Sequence, residues 1–187
     1  RRHCPVICVA GGEEVRVLTA SIGIDDEAAG YAMAQLLIGL GHRHFGYIDG
    51  PEGHVSAARR RQGVLRAMAE AGIPLSQLRV ERGDFTFRSG IELSKKILAK
   101  PGQLTALVCA NDDMAAGALL TVHRMGWAIP GDISVSGFDD TPMSEIVWPP
   151  LTTVHQPIRR VGQRAVEMLV DAINSGTGAA EAKFETV

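Results

Sequence analysis

Acidic pairs stand at Asp25-Asp26, Asp112-Asp113 and Asp139-Asp140, and an arginine run, Arg59-Arg60-Arg61, lies between the first two. Paired carboxylates are the equipment of glycosidic-bond cleavage. That chemistry needs two carboxyl groups converging on one bond from opposite sides, which adjacent residues do not do. Each pair also has a local explanation, since Asp25 and Asp112 precede helical patterns where an N-cap belongs. His42 and His44 flank Arg43 without a third ligand at metal-site spacing. A charge just past a helix C-terminus, favoured by the helix dipole, is the expectation there, and neither a metal nor another cofactor is expected. The sequence has no G-x-S-x-G elbow, P-loop, H-E-x-x-H or strand-following G-x-G-x-x-G. The chain reads as a binding protein and not as an enzyme.

Positioning such residues requires a scaffold, and the hydrophobic pattern supplies one. Short apolar runs at residues 5–9, 20–24, 45–48, 79–82, 106–110 and 133–135 read as strands. Between them lie helical patterns. Ala29, Met33, Leu36, Leu37 and Leu40 run to a stop at Gly41; Ser56 caps a helix with Val64, Leu65 and Met68, closed by Gly72. Thr86 opens a helix ended by Pro101, Asp112 caps one ended by Gly126, and Pro157 begins one running to Gly176. Residues 183–187 look like a further strand. Strands alternating with helices predict an α/β fold with parallel sheets and helices on both faces.

In such sheets ligands bind beyond the carboxyl ends of the strands. That rule selects Asp49-Gly50-Pro51 with the arginine run that follows, then Asp84-Phe85, Asn111-Asp112-Asp113 and Phe138-Asp139-Asp140. An aromatic face with arginine, amide and carboxylate groups suits a polyhydroxylated ligand. Arg60 is expected to serve the ligand, with a neighbouring arginine left as a solvated helix-face charge. Asp139, after a buried strand and Gly137, needs a partner and is expected to contact the ligand. Phe85 stays open between stacking and core packing, and Asn111 between ligand contact and turn chemistry.

The 187 residues, 45% hydrophobic and 21% charged, are enough for one or two packed domains. A net charge of −2 offers no positive excess for phosphate contacts, so any DNA reading is expected from a part outside these residues. Cys4, Cys8 and Cys109 read as reduced thiols of a cytoplasmic protein. No run predicts a membrane span, and no secretory leader opens the chain.

Several segments together are more specific: Gly41-His42-Arg43-His44-Phe45-Gly46-Tyr47-Ile48 with Gly50-Pro51; Ser56 to Gly63 with Arg60; Gly83-Asp84-Phe85 with Ser89-Gly90; Ala110-Asn111-Asp112 with Met114-Ala115 and Gly117-Ala118; residues 130–135 with Gly137-Phe138-Asp139-Asp140; and residues 149–157. In this order and spacing the chain resembles the lactose-repressor (LacI/GalR) family of transcription regulators. The resemblance implies a type I periplasmic-binding-protein-like fold with two doubly wound lobes. Residues 1–25 and 156–187 would be an incomplete first lobe and residues 26–155 the second. A helix-turn-helix domain is expected before Arg1, and the final segment is expected to continue past Val187. Effector contacts would fall on Arg60, Phe85, Asn111 and Asp139. The effector would be a sugar or sugar derivative, with a purine as the other candidate, held between the lobes and altering operator-DNA binding allosterically. A homodimer would use the helix around Ala116 and Val147-Trp148, although the apolar run at residues 146–150 reads equally as local packing. No membrane partner is implied. Ala10-Gly11-Gly12 departs from the polar residue several sugar-sensing members carry after their corresponding strand. The alternative reading is a periplasmic sugar-binding protein of an uptake system.

Overall fold

A computed structural model of the chain describes residues 5–10, 20–99, 104–175 and 184–186. In chain order the elements are β1 (Ile7–Val9), β2 (Ala20–Gly23), α1 (Asp26–Gly39), β3 (Phe45–Asp49), α2 (Val55–Glu70), β4 (Leu78–Arg82), α3 (Phe87–Leu98), β5 (Ala106–Cys109), α4 (Asp112–Arg124), β6 (Ser134–Ser136), the single-turn α5 (Met143–Ile146), α6 (Ile158–Asn174) and β7 (Phe184–Thr186). They pack as two units, one of Arg1–Asp25 with Gln156–Val187 and one of Asp26–His155. The smaller unit holds a parallel sheet ordered β1-β2-β7. The larger holds a parallel sheet ordered β4-β3-β5-β6.

The strand order of the larger unit explains where its helices lie. From β3 the chain crosses to β4 on one side, then returns over β3 to β5 and continues to β6. With right-handed crossovers, α2 covers one face, together with α1, while α3 and α4 cover the other. β3 and β5 are interior strands covered on both faces, so every residue in them is buried. Phe45, Tyr47, Ile48, Val64, Met68, Ile97, Leu107, Met114, Val122 and Ile133 are all fully buried around them. Each such side chain contributes about 1.5–3 kcal/mol relative to exposure. β4 is an edge strand, only partly covered, and carries Arg79, Glu81 and Arg82.

Gly41, Gly72 and Gly126, expected as helix stops, all adopt positive φ just past their helices. The stops at Pro101 and Gly176 lie outside the described residues, as do Cys4, Gly11 and Gly12. Two expected caps are corrected. α2 is capped by His54, whose ring accepts a bond from the Ala57 N–H, while Ser56 is buried in the first turn. α4 is capped by Asn111, whose extended backbone lets its side chain accept from the Met114 N–H. Asp112 sits inside the helix with its carboxylate drawn elsewhere. Thr86 caps α3 as expected.

Each helix pair closes on a glycine contact. A Cβ at Gly30 would lie 2.2 Å from the Arg60 carbonyl oxygen, and one at Gly63 would lie 2.0 Å from that of Glu27. On the other face a Cβ at Gly90 would meet the Met114 carbonyl oxygen at 2.2 Å and one at Gly117 that of Phe87 at 2.2 Å. These neighbours are backbone and cannot swing away. Gly63→Ala is therefore expected to destabilise the protein by about 1–3 kcal/mol. Gly39→Ala, where the added Cβ meets no described atom within 4 Å, should be neutral or stabilising by up to about 1 kcal/mol. Urea unfolding of the two variants checks the contrast.

Candidate functional site

The connections leaving β3 and leaving β5 run to opposite faces, which makes the carboxyl ends of these neighbours a topological switch point, where open α/β sheets hold ligands in a crevice. Arg60 projects into this place from α2. It is buried, and its guanidinium is held on several sides. Nε donates to Asp26 Oδ1 at 2.8 Å, and Nη1 donates to the Ala110 carbonyl, just past β5, at 2.8 Å. The same Nη1 approaches Asp139 Oδ1 at 3.4 Å. The Phe138 ring stacks beneath, its centroid 3.6 Å from Cζ, a cation–π contact. The next residue, Arg61, pairs with Asp49 at 2.6 Å. Asp49 also accepts from the Gly50 N–H at 2.9 Å.

Phe85 leans over the same edge. Its ring meets His54 edge-on, with centroids 4.9 Å apart and planes at 81°. Gly50 makes room for it, since a Cβ there would lie 2.5 Å from Phe85 Cζ. Asn111 Nδ2 donates to the Phe85 carbonyl at 3.0 Å while its oxygen caps α4. Asn111 thus does the turn chemistry the sequence left open, and it also fixes the Phe85 backbone.

Positive φ in non-glycine residues costs of order 1–3 kcal/mol and marks places where function holds the backbone. Among the described residues of the larger unit, it occurs at Phe85 (67°), Asp139 (114°) and Asp140 (56°). All three lie just past strand carboxyl ends. The β6 side is held by the fully buried Asp112, whose carboxylate accepts from the Thr141 N–H at 2.8 Å, Thr141 Oγ1 at 3.2 Å and Thr153 Oγ1 at 2.6 Å. The Asp139 N–H donates to the Val154 carbonyl at 2.9 Å, and Asp140 bonds Ser144 and His155. The His155 ring and the Ser144 hydroxyl hold the Asp140 carboxyl below its ordinary value. Asp84, bonded by Thr86 and Ser89, is held down to about 2.

The sequence profile of the periplasmic binding protein-like domain family matches residues 34–186. The chain belongs to that family. It is 36% identical over 172 residues to the HTH-type transcriptional repressor PurR of Escherichia coli O139:H28, covering 92% of this chain and 50% of the relative. The chain therefore spans about half the length of the curated relatives it matches. Among solved structures, a LacI family transcriptional regulator from Enterococcus faecium with bound ribose superposes with a TM-score of 0.87 at 26% identity, over 98% of this chain and 66% of that one. The transcriptional regulator CelR–cellobiose complex superposes with a TM-score of 0.82 at 30% identity, over 90% and 51%.

Of the residues singled out in this periplasmic-binding-protein-like chain, Arg60 and Asp139 meet directly, and Phe85 and Asn111 meet each other. Asp26 and Phe138 complete the Arg60 setting. Asp26 had been readable only as a cap, and no local signal marks a contact across 34 positions of sequence. The residues expected at a dimer contact separate. Ala116 is buried within its own unit and offers no surface, so only the helix around it remains available. Val147 packs on the core, while Ile146 and Trp148 are 75% and 79% exposed. At the opposite sheet edge His42 bridges Thr105 and Ser134, each at 3.0 Å, and burial lowers its pKa. Arg43 donates to the Ile38 carbonyl at the end of α1. Among the described residues no cluster of metal-ligating side chains occurs, and no helix is long and apolar enough to cross a membrane.

Arg60→Ala leaves Asp26 buried without its cation and should cost about 3–5 kcal/mol in chemical unfolding. Arg88→Ala, which breaks the exposed Arg88–Glu92 pair, should leave the unfolding midpoint almost unchanged. A carboxyl held low stabilises the fold above the ordinary carboxylate pKa and loses that contribution as pH falls through the lowered value. Asp84 thus contributes to acid unfolding as pH falls from about 4 toward 2. Asp84→Asn should flatten that part of a plot of Tm against pH.

Proposed function

We propose that this chain is the effector-sensing part of a LacI-type transcriptional regulator, a repressor that binds a small molecule and alters operator binding through a helix-turn-helix segment of the same polypeptide. The observation that carries the reading is the charged and aromatic set at the β3/β5 crevice: Arg60 held between Asp26 and the Ala110 carbonyl, Asp139 beside it, and Phe85 at the rim. Sugar hydroxyls pair with a carboxylate and a guanidinium, and the C–H face of the ring packs on an aromatic. Relatives crystallised with ribose and cellobiose support a sugar or sugar derivative. A purine, whose edge offers a similar donor and acceptor pattern, is the other candidate.

Arg60, Phe85 and Asp139 are the proposed direct contacts, and Asn111 acts through its hold on the Phe85 backbone. Residues 26–155 form the second lobe, and residues 1–25 with 156–187 belong to the first. The regulator works in the cytoplasm as a homodimer, with Trp148, Val147 and the helix around Ala116 contributing to the contact. Binding of the effector favours one of two states of the dimer, and operator affinity follows by linkage. No cofactor and no catalytic step enter this scheme. The uptake-protein alternative is less favoured, because the relatives of printed function are regulators.

A thermal-shift screen of the intact protein against monosaccharides, disaccharides and nucleobases tests the reading. A true effector at a hundredfold excess over its Kd should stabilise the fold by about 2.7 kcal/mol. That response should disappear in Asp139→Asn and in Phe85→Ala. A stabilising ligand indifferent to both substitutions would place the effector elsewhere.

A further inference from the structure

Arginine recognises a phosphate or carboxylate best through two parallel N–H bonds from one edge of the guanidinium, either Nε with Nη2 or Nη1 with Nη2. On Arg60 both edges are already broken. Asp26 takes Nε at 2.8 Å, and the Ala110 carbonyl takes Nη1 at 2.8 Å. Phe138 covers one face of the plane. The bonds described leave the two N–H groups of Nη2, without a paired edge, beside Asp139.

The charges agree with the geometry. Arg60 faces two carboxylates, Asp26 and Asp139, and Arg61 is matched by Asp49. Arg59 has an interaction of its own. His54 Nδ1 accepts from the Ala57 N–H, so that nitrogen is engaged as the cap of α2. A phosphorylated ligand would enter beside Asp26 and Asp139, with Arg60 and Arg61 each already matched by a carboxylate. Like charges a few ångströms apart in a partly buried site repel by several kcal/mol.

We infer that Asp26 is a specificity-determining residue: by occupying Arg60 Nε and balancing its charge, it makes the crevice select uncharged ligands and reject phosphorylated or carboxylated ones. The inference rests on the proposed effector site and narrows its ligand class. It assigns Asp26 no direct ligand contact; the residue acts through Arg60.

Inorganic phosphate is the probe, titrated calorimetrically into the intact protein at constant ionic strength. The wild type should give no saturable binding. Asp26→Asn keeps an oxygen that accepts from Nε but removes a negative charge, and should bind phosphate at least about tenfold more tightly than the wild type. Asp26→Glu should restore rejection, and Arg60→Gln added to Asp26→Asn should abolish the acquired binding. Asp26→Ser is made alongside in case the amide does not fold. Phosphate binding by the wild type that is lost on Arg60→Gln overturns the inference, and so does a folded Asp26→Asn or Asp26→Ser that stays blind to phosphate. If both unfold, Asp139→Asn decides: with Asp26 still on Nε it should stay blind to phosphate, and a gain of phosphate binding there would move the selectivity to Asp139 and overturn the inference. The effector screen fails separately: a neutral ligand indifferent to Asp139 and Phe85 sinks the site while the phosphate result stands.

Discussion

A guanidinium shut away from water must be satisfied on every side, and the larger unit is organised around that demand at Arg60. Its partners come from the start of α1, the end of β5 and the segment after β6, with an aromatic ring closing one face. A buried ion pair of this kind adds little stability beyond what apolar residues of its size would give, but losing one partner is costly. Arg60 therefore constrains more than it stabilises: it fixes where the α1 turn, the Ala110 carbonyl and Asp139 must stand.

That arrangement depends on how closely α1 and α2 approach. Asp26 reaches Arg60 because Gly30 lies against the Arg60 carbonyl and Gly63 against that of Glu27. Any side chain at either position would push the helices apart and draw the carboxylate off its cation. The two edges of the sheet are then specialised. The carboxyl edge stores backbone strain at Phe85, Asp139 and Asp140. The amino edge is pinned by the His42 bridge between Thr105 and Ser134.

The alternation of strands and helices was legible because β3 and β5 are short unbroken apolar runs and the helices end on glycines free to take positive φ. The strand-end rule selected the segments that carry Arg60, Phe85, Asn111 and Asp139 without knowledge of any relative, since it needs only the order of elements. It could not assign their partners. Asp112 reads locally as a cap, yet three donors from residues 141 and 153 claim its carboxylate and leave the cap to Asn111. Ser56 similarly gives way to His54. Asp26 looks like one more acidic residue in a first helical turn until tertiary packing brings Arg60 against it. Interactions that span the fold leave no periodic trace.

The edge strand β4 has a further consequence. Its outer backbone could accept a strand from another molecule, and newly synthesised chains are most exposed to such pairing. Arg79, Glu81 and Arg82 lie along it, with Glu81 tied to Lys96 and Arg82 to Glu52. Lining up a second β4 in parallel register would set each of these charges against its own kind. Charged side chains along an open edge disfavour such pairing, so the composition of this strand bears on association between chains and not on ligand binding.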